Sequence, residues 1–368
     1  MGHMDQYQGP SESPLDPHRS SSRKRGVSGN TFTLVEELEQ KLRNALTEER
    51  KAKDQFEREK FAHEETKKQL REKTSREPET EPISLAHKMK NECKDIDGFI
   101  RELPKKKVME DGKYQLAKYE VGDGTGSGGG KVLMVVGATG TGKSTLIDGI
   151  VNYAFNVEYE DDFRFKLIVD EGLGQQKSKS NSQTKWITAY VLNKQQGFNL
   201  PYTLMVIDTP GYRLDTEGFK EWKNQIREFF SHGGNIGVDQ LDGICFVVPA
   251  GQARLTPTEK NIFDFILAVF GNDVVENIFV LITLADARRV PANCAIDDAG
   301  IPYKKSFNFN IGALVWKEGL ESPEYEKFEK YFWNMGFTSF KNFFQTIQTT
   351  IPVSLTLAKE VLKERQRR

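Results

Sequence analysis

Apolar runs alternate with helical periodicity through the second half of the chain. Val132 to Val136, Trp186 to Leu192, Thr203 to Ile207, Gly243 to Val248 and Ile278 to Ile282 are short and rich in β-branched residues, and are read as strands. Between and after them, Lys143 to Phe155, Glu217 to Phe230, Pro257 to Phe270, Glu324 to Trp333 and Ser339 to Thr349 place apolar residues every three or four positions, which predicts helices. The strand runs are apolar throughout, as expected where both faces of a sheet are covered. The predicted fold is therefore α/β, a mostly parallel sheet with helices on both sides.

The first half reads differently. Asp5 to about Asn30 carries almost no apolar residues and is expected to be disordered, after a Gly2-His3-Met4 cloning remnant. From Thr31 to about Ser75 there is no Gly or Pro, and Val35, Leu38, Leu42, Ala45, Ala52, Phe56, Thr66 and Leu70 form the seam of a long helix or coiled coil. Glu49, Glu59 and His63 interrupt that seam, and a solvated single helix held by charge pairs such as Glu49 with Lys53 is the alternative. Pro78 and Pro82 break the pattern. A shorter helix is expected next on Leu85, Met89, Ile96, Phe99, Ile100 and Leu103, making residues 83–120 a helical linker. A Gly-rich loop, Gly122 to Gly130, precedes the main domain at 131–351, and residues 352–368 read as a further helix cut short at the chain end.

Composition narrows the function classes. The 368 residues are 37% hydrophobic and 29% charged, so part of the chain is expected to lie outside any core. A net charge of -1 argues against a nucleic-acid partner. Cys93, Cys245 and Cys294 have neither disulfide nor metal-ligand spacing, which fits a reducing, cytoplasmic setting. No apolar run is long enough for a transmembrane segment.

The chemistry begins where the first strand breaks into Gly137-Ala138-Thr139-Gly140-Thr141-Gly142-Lys143-Ser144-Thr145 and turns helical. Strand, GxxxxGK[ST], helix is the context in which a P-loop cradles a polyphosphate, its backbone N–H groups and the helix N-terminus facing the anion. Lys143 is expected to reach the β- and γ-phosphates and the Ser144 hydroxyl to bind Mg²⁺. A second apolar strand ends in Asp208-Thr209-Pro210-Gly211, where Asp208 can hold the metal through water and the Gly211 N–H can meet the γ-phosphate. Between these motifs Thr184, with Ser182 in reserve, is the expected hydroxyl on the metal and γ-phosphate. A third strand ends in Thr283-Leu284-Ala285-Asp286; a carboxylate at Asp286 can accept both N1–H and N2–H of guanine, a donor pair that adenine lacks.

The order GATGTGKS, Thr184, DTPG and TLAD resembles the septin-like branch of P-loop GTPases, nearest the immunity-associated GTPases and more distantly septins and chloroplast import-receptor GTPases. The likeness extends through Gln252-Ala253-Arg254-Leu255-Thr256, Phe270-Gly271 and Val280 to Thr283, and covers about Val132 to Thr350. It implies GTP/GDP and Mg²⁺ as cofactors, slow GTP hydrolysis, dimerisation through the G domain and use as a nucleotide-regulated scaffold. The amino-terminal coil would add a second route to a homodimer or bind a protein partner of its own. Carried over by position, Lys143, Ser144, Thr184, Asp208 and Gly211 would hold Mg²⁺–triphosphate, with Gly137, Thr139, Gly140, Thr141, Gly142 and Thr145 around it; Asp286 would hold the guanine beside Thr283, with Asn308 approaching the base from the last loop and Asn310 in reserve. Two positions depart from G-protein patterns. Leu284 stands where a Lys packs along the nucleotide, which weakens the expected affinity, and Tyr212 stands where a Gln orients water in Ras-like enzymes, which predicts slow turnover. The rival readings are a GTP-binding scaffold without turnover and an ATP-dependent P-loop kinase.

Other tempting residues take plain readings. Arg164, Arg213, Arg254, Arg288 and Arg289 are expected to be surface arginines, and His232 a helix-terminal histidine. Phe328, Tyr331, Phe332, Trp333, Phe337, Phe340, Phe343 and Phe344 are expected to be core, and Lys363 to Arg368 a solvated face.

Overall fold

A computed structural model describes residues 83–356 except 125–129, 169–184, 212–215, 232–237, 287–288 and 316–322, together with most positions of 40–60 and positions 64–65. The chain divides into two compact units, Met1–Glu81 and Pro82–Arg368. In the first, every described residue is helical and exposed. The seam positions Leu42, Ala45, Ala52 and Phe56 lie outside the described residues.

In the second unit the strands are β1 (Lys94–Asp95), β2 (Ile100–Glu102), β3 (Lys106–Asp111), β4 (Leu116–Val121), β5 (Lys131–Val136), β6 (Arg164–Lys166) and β7 (Ile187–Leu192). They continue with β8 (Leu204–Asp208), β9 (Gln240–Leu241), β10 (Gly243–Pro249), β11 (Ile278–Thr283), β12 (Lys305–Phe309) and β13 (Val353–Ser354). The helices are α1 (Leu85–Glu92), α2 (Lys143–Ala154), α3 (Thr216–Ser231), α4 (Pro257–Phe270), α5 (Pro291–Asp298), α6 (Gly312–Val315) and α7 (Pro323–Thr349). Eight strands form one sheet in the order β12-β11-β10-β5-β8-β7-β4-β3. Only the β7–β8 and β3–β4 pairs are antiparallel within it. The expected α/β fold with a mostly parallel sheet is the one observed.

Why helices cover both faces follows from the strands themselves. In β5, Leu133 and Val135 enter the core under α2 and α7, while Met134 and Val136 enter the core under α3 and α4. β10 splits the same way, with Cys245 and Val247 on one side and Phe246 and Val248 on the other. Period-two alternation within an all-apolar run requires two apolar layers, and the amphipathic helices supply them. α4 has the bounds expected of it, set by a capping box between Thr256 and Glu259 and stopped at Gly271.

Three expectations are corrected. Residues 83–120 are not a helical linker: after α1 the chain turns and builds β1 to β4, and β4 pairs in parallel with β7. The apolar spacing from Ile96 to Leu103 imitates a helix, but Asp97 Oδ1 accepts the N–H groups of Phe99 and Ile100, and Gly98 turns the chain at φ 91°. These side-chain acceptors outcompete the helical ladder. The carboxy-terminal pair of helices is one helix, α7, running through Gly336. A Cβ at that position would lie 2.5 Å from Leu314 Cδ1 and 2.8 Å from the Asn310 carbonyl oxygen, so the glycine allows close packing rather than a break. Finally, Phe328 and Tyr331 are exposed instead of buried; Trp333, Phe340, Phe343 and Phe344 are core as expected. β13 pairs with β9 just after Pro352, and of the helix expected beyond it all but Thr356 lies outside the described residues. Among the described residues no helix is long and apolar enough to cross a membrane.

Candidate functional site

The carboxy-terminal ends of β5, β8, β11 and β12 converge around the start of α2. The loop leaving β5 bends through Gly137 (φ 156°), Gly140 (φ 81°) and Gly142 (φ 90°), of which the last caps α2 in the left-handed region. A Cβ on Gly137 would sit 2.7 Å from the Val247 carbonyl oxygen, so only glycine lets the loop lie this close to β10. Thr141 Oγ1 closes the loop by donating to the Ala138 carbonyl at 3.0 Å, and Thr283 Oγ1 braces it from β11 by donating to the Thr141 carbonyl at 2.7 Å. Thr283, expected at the base, thus gives its hydroxyl proton to the phosphate loop.

Lys143 is buried at the first turn of α2. Its ammonium donates to the carbonyls of Gly137 at 3.1 Å and Ala138 at 3.0 Å. Burial lowers its pKa to about 8, against the opposing pull of Asp208. Asp208, at the end of β8, is itself buried, and neither carboxylate oxygen has a hydrogen-bond partner. Burial raises its carboxyl to about 7; the Lys143 charge and then the Thr209 N–H draw it down again, yet neither bonds its oxygens. A buried, unpartnered carboxylate beside a buried ammonium is costly unless a ligand completes both. Gly211 touches the same spot: a Cβ there would lie 2.7 Å from Thr139 Oγ1 and 3.1 Å from Lys143 Nζ. The Thr209 hydroxyl anchors this turn to β5 through the Val135 carbonyl at 2.7 Å.

Of the remaining phosphate-loop residues, Ser144 is half-buried in the first turn of α2, and Thr139 and Thr145 are exposed. The structure therefore brings Gly137, Thr139, Gly140, Thr141, Gly142, Lys143, Ser144, Asp208 and Gly211 together. Thr184, Ser182, Tyr212, His232, Arg213 and Arg288 lie outside the described residues.

At the far side, Asp286 is exposed just beyond β11, and the Ala285 N–H bonds the Phe309 carbonyl at 3.0 Å. The register pairs Ile282 with Asn308 and Thr283 with Phe309. Asn308 therefore lies inside the ladder, and Asn310 is the asparagine that stands at the strand end, level with the Leu284–Asp286 turn. Strand ends, not motif text, decide which of the two can reach a ligand.

Sequence reasoning passed over Asp148. It is buried in α2, and its Oδ1 accepts the N–H groups of Leu167 at 2.8 Å and Ile168 at 3.3 Å, the chain just before residue 169. Burial raises its pKa to about 7 despite those bonds. Its neighbour Asn152 bonds both backbone groups of Phe165 at 2.8 Å. The signal available was two polar residues, four apart, on the inner face of an otherwise apolar helix. Arg164 also departs from expectation. It is fully buried, donates to five backbone carbonyls including Phe163 at 2.7 Å and Ala313 at 3.3 Å, and packs 4.4 Å from the Trp333 ring. It joins β6 to α6 and α7 and cannot serve as a finger to another subunit. Arg254 and Arg289 are exposed, as expected.

Residues 131–292 match the model of the AIG1 family, in keeping with the motif resemblance. No curated protein matches the chain. Solved structures similar to it include a dimerization-deficient mutant of Toc33 from Arabidopsis thaliana, at 15% identity, 47% of this chain, 59% of that one and a TM-score of 0.30. Toc33 from Arabidopsis thaliana in complex with Mg²⁺ and GMPPNP is similar at 14% identity, 47% of this chain, 59% of that one and a TM-score of 0.28. The G domain of the T. maritima FeoB iron transporter is similar at 15% identity, 55% of this chain, 99% of that one and a TM-score of 0.27. The chain thus spans 59% of the length of the first of these structures.

Proposed function

We propose, starting from the match of residues 131–292 to the AIG1 family, that this chain binds GTP and GDP with Mg²⁺ and hydrolyses GTP slowly. The observation that carries the reading is the convergence of Lys143, the unpartnered Asp208 carboxylate and Gly211 beside a glycine loop at the start of α2. Such a set suits a metal-bound polyphosphate: N–H groups and an ammonium for the phosphate oxygens, and a free carboxylate for the water shell of a hard cation. Ser144, Thr184 and Asp208 would hold Mg²⁺, whose chemistry is to neutralise charge on the β- and γ-phosphates.

In hydrolysis, Lys143 and the loop N–H groups stabilise charge on the transferring phosphoryl group while Thr184 orients the attacking water. Tyr212 offers no carboxamide for that water, which supports slow turnover. Asp286 reads guanine, and Asn310 is better placed than Asn308 to approach the base. Loss of the γ-phosphate would release the segments around Thr184 and Gly211, and the nucleotide state would govern dimerisation of the G domain. The amino-terminal helix would serve as a coiled coil for a second copy or another protein.

Calorimetry on the full chain tests the core of this. GTP and GDP are expected to bind in the micromolar range or tighter, with at least roughly tenfold preference over ATP and ADP. Equal affinity for the two bases removes Asp286 from its role. Light scattering on the same samples, with GDP and a non-hydrolysable GTP analogue, reads the dimer.

A further inference from the structure

β3 is the outermost strand at one side of the eight-stranded sheet, and among the described residues no strand lies beyond it. It reads Lys106-Lys107-Val108-Met109-Glu110-Asp111, cations at one end and anions at the other. Lys106, Lys107 and Glu110 are exposed, and Met109 is half-buried against the core under α3 and α4. Against β4 the register pairs Lys106 with Glu120 and Lys107 with Tyr119, skips Val108, and resumes with Met109 opposite Lys118, Glu110 opposite Ala117 and Asp111 opposite Leu116. The bulge reduces the six residues to five levels of the ladder, with Met109 at the middle one. It also sets the phase. Lys106, Met109 and Asp111 share one alternation, and Lys107 and Glu110 share the other. Without the bulge, each lysine and the anion mirrored across the centre would fall on opposite faces.

We propose that β3 is the docking strand for a second copy of this chain, paired antiparallel about a twofold axis through Met109. In that register Lys106 of each copy meets Asp111 of the other, Lys107 meets Glu110, and the two Met109 residues face each other on the axis. Each pair shares a face of the joined sheet, so the arrangement is complementary to itself at every level. A slip by two levels sets Lys107 against Lys107 or Glu110 against Glu110, and parallel pairing sets like charge on like throughout. Charges and a bulge ordinarily guard an edge against pairing; here they restrict it to one register. β12, the opposite edge, reads Lys305-Ser306-Phe307-Asn308-Phe309 and has no such symmetry. Within one copy Lys107 already contacts Glu110, and Asp111 Oδ1 accepts the N–H groups of Lys113 and Tyr114 at the turn, so pairing exchanges the Lys107 contact within a strand for one between strands. The surface lies three strands from β8 and before residue 131, and it does not depend on the nucleotide-binding reading.

The test is disulfide cross-linking of the full chain carrying Met109→Cys, read on non-reducing gels beside the unaltered chain, which reports any link through Cys93, Cys245 or Cys294. Facing residues of antiparallel strands stand within the separation a disulfide spans, so Met109→Cys is expected to give a covalent dimer, more slowly at high salt. Adding Lys107→Glu, or separately Glu110→Lys, sets like charges opposite each other and should slow cross-linking at least about tenfold. Mixing those two variants restores opposite charges at every level and should return the rate to within about threefold of Met109→Cys alone. Both substitutions are at exposed positions, so the Tm should stay in place. No cross-link beyond that of the unaltered chain overturns the proposal. Cross-linking that ignores both charge substitutions overturns it too, by assigning the proximity to another contact between copies. A mixture no faster than either variant alone does the same, by showing that the substitutions act within one chain.

Discussion

Lys143 and Asp208 are both buried with no hydrogen bond between them; the ammonium bonds the Gly137 and Ala138 carbonyls, and the Asp208 oxygens have no partner. Removing the ammonium should therefore cost binding more than folding. Lys143→Ala is expected to weaken Mg²⁺–GDP by about 10²- to 10³-fold, the scale expected when one partner of a close buried charge contact is truncated. In thermal melts, GDP should raise the Tm of the unaltered protein and leave that of the variant in place; an equal rise in both would remove Lys143 from the site. At this scale the sequence is most legible where chemistry dictates residue type. The phosphate loop and the Asp208–Gly211 turn could be read by spacing alone, because a close backbone approach admits only glycine. Asn308 and Asn310 could not be told apart, since a difference of one strand level depends on register with β11. Arg164 was misread for a related reason: nothing in composition distinguishes an exposed guanidinium from one ringed by carbonyls.

Elements were legible in proportion to their burial. β5, β8, β10 and β11 are apolar runs flanked by turn residues, and their bounds came out within a residue or so. β3 is an edge strand reading KKVMED, with half of its positions exposed, and so shows no strand signature of its own. Its partner β4 has only Leu116, Ala117 and Val121 buried. Gly336 lies in the gap between the two helices expected here, and a mid-helix glycine usually costs about 1 kcal/mol relative to alanine. Here the sign reverses. Gly336→Ala would press a methyl against Leu314 and the Asn310 carbonyl, and is expected to destabilise the domain by about 1–3 kcal/mol, the range for overpacking. Chemical denaturation checks this; a variant more stable than the parent would mean that α7 can shift away from α6 without cost.

Among the described residues, two carboxyls, Asp148 and Asp208, are raised to about 7, and the Asp208 charge adds to the rise at Asp148. Burial is the larger cause in both, opposed at Asp148 mainly by its backbone bonds and at Asp208 by Lys143. A carboxyl whose folded pKa exceeds its unfolded value binds more protons in the native state, so stability falls as pH rises from the unfolded value toward the folded one. Lys143, lowered to about 8, acts with opposite sign only above that pH. The nucleotide-free protein is thus expected to lose several degrees of Tm between about pH 5 and pH 7.5, and Mg²⁺–GDP should flatten the slope by giving Asp208 a counter-charge. A melting temperature that rises across that window would show that these carboxyls ionise freely in the fold.

The strands that precede the phosphate loop bear on how the protein can be divided. β4 covers the flank of β7, whose six residues are all buried, and both β3 and β4 come before residue 131. A fragment cut to the recognisable stretch, 131–292, would leave that apolar strand as a bare edge, open to pairing with its own copies. It would also lack β12 and α7 at the other side. The unit that can be expressed, stored and crystallised is therefore larger than the unit that can be recognised, and its proper beginning is near Pro82.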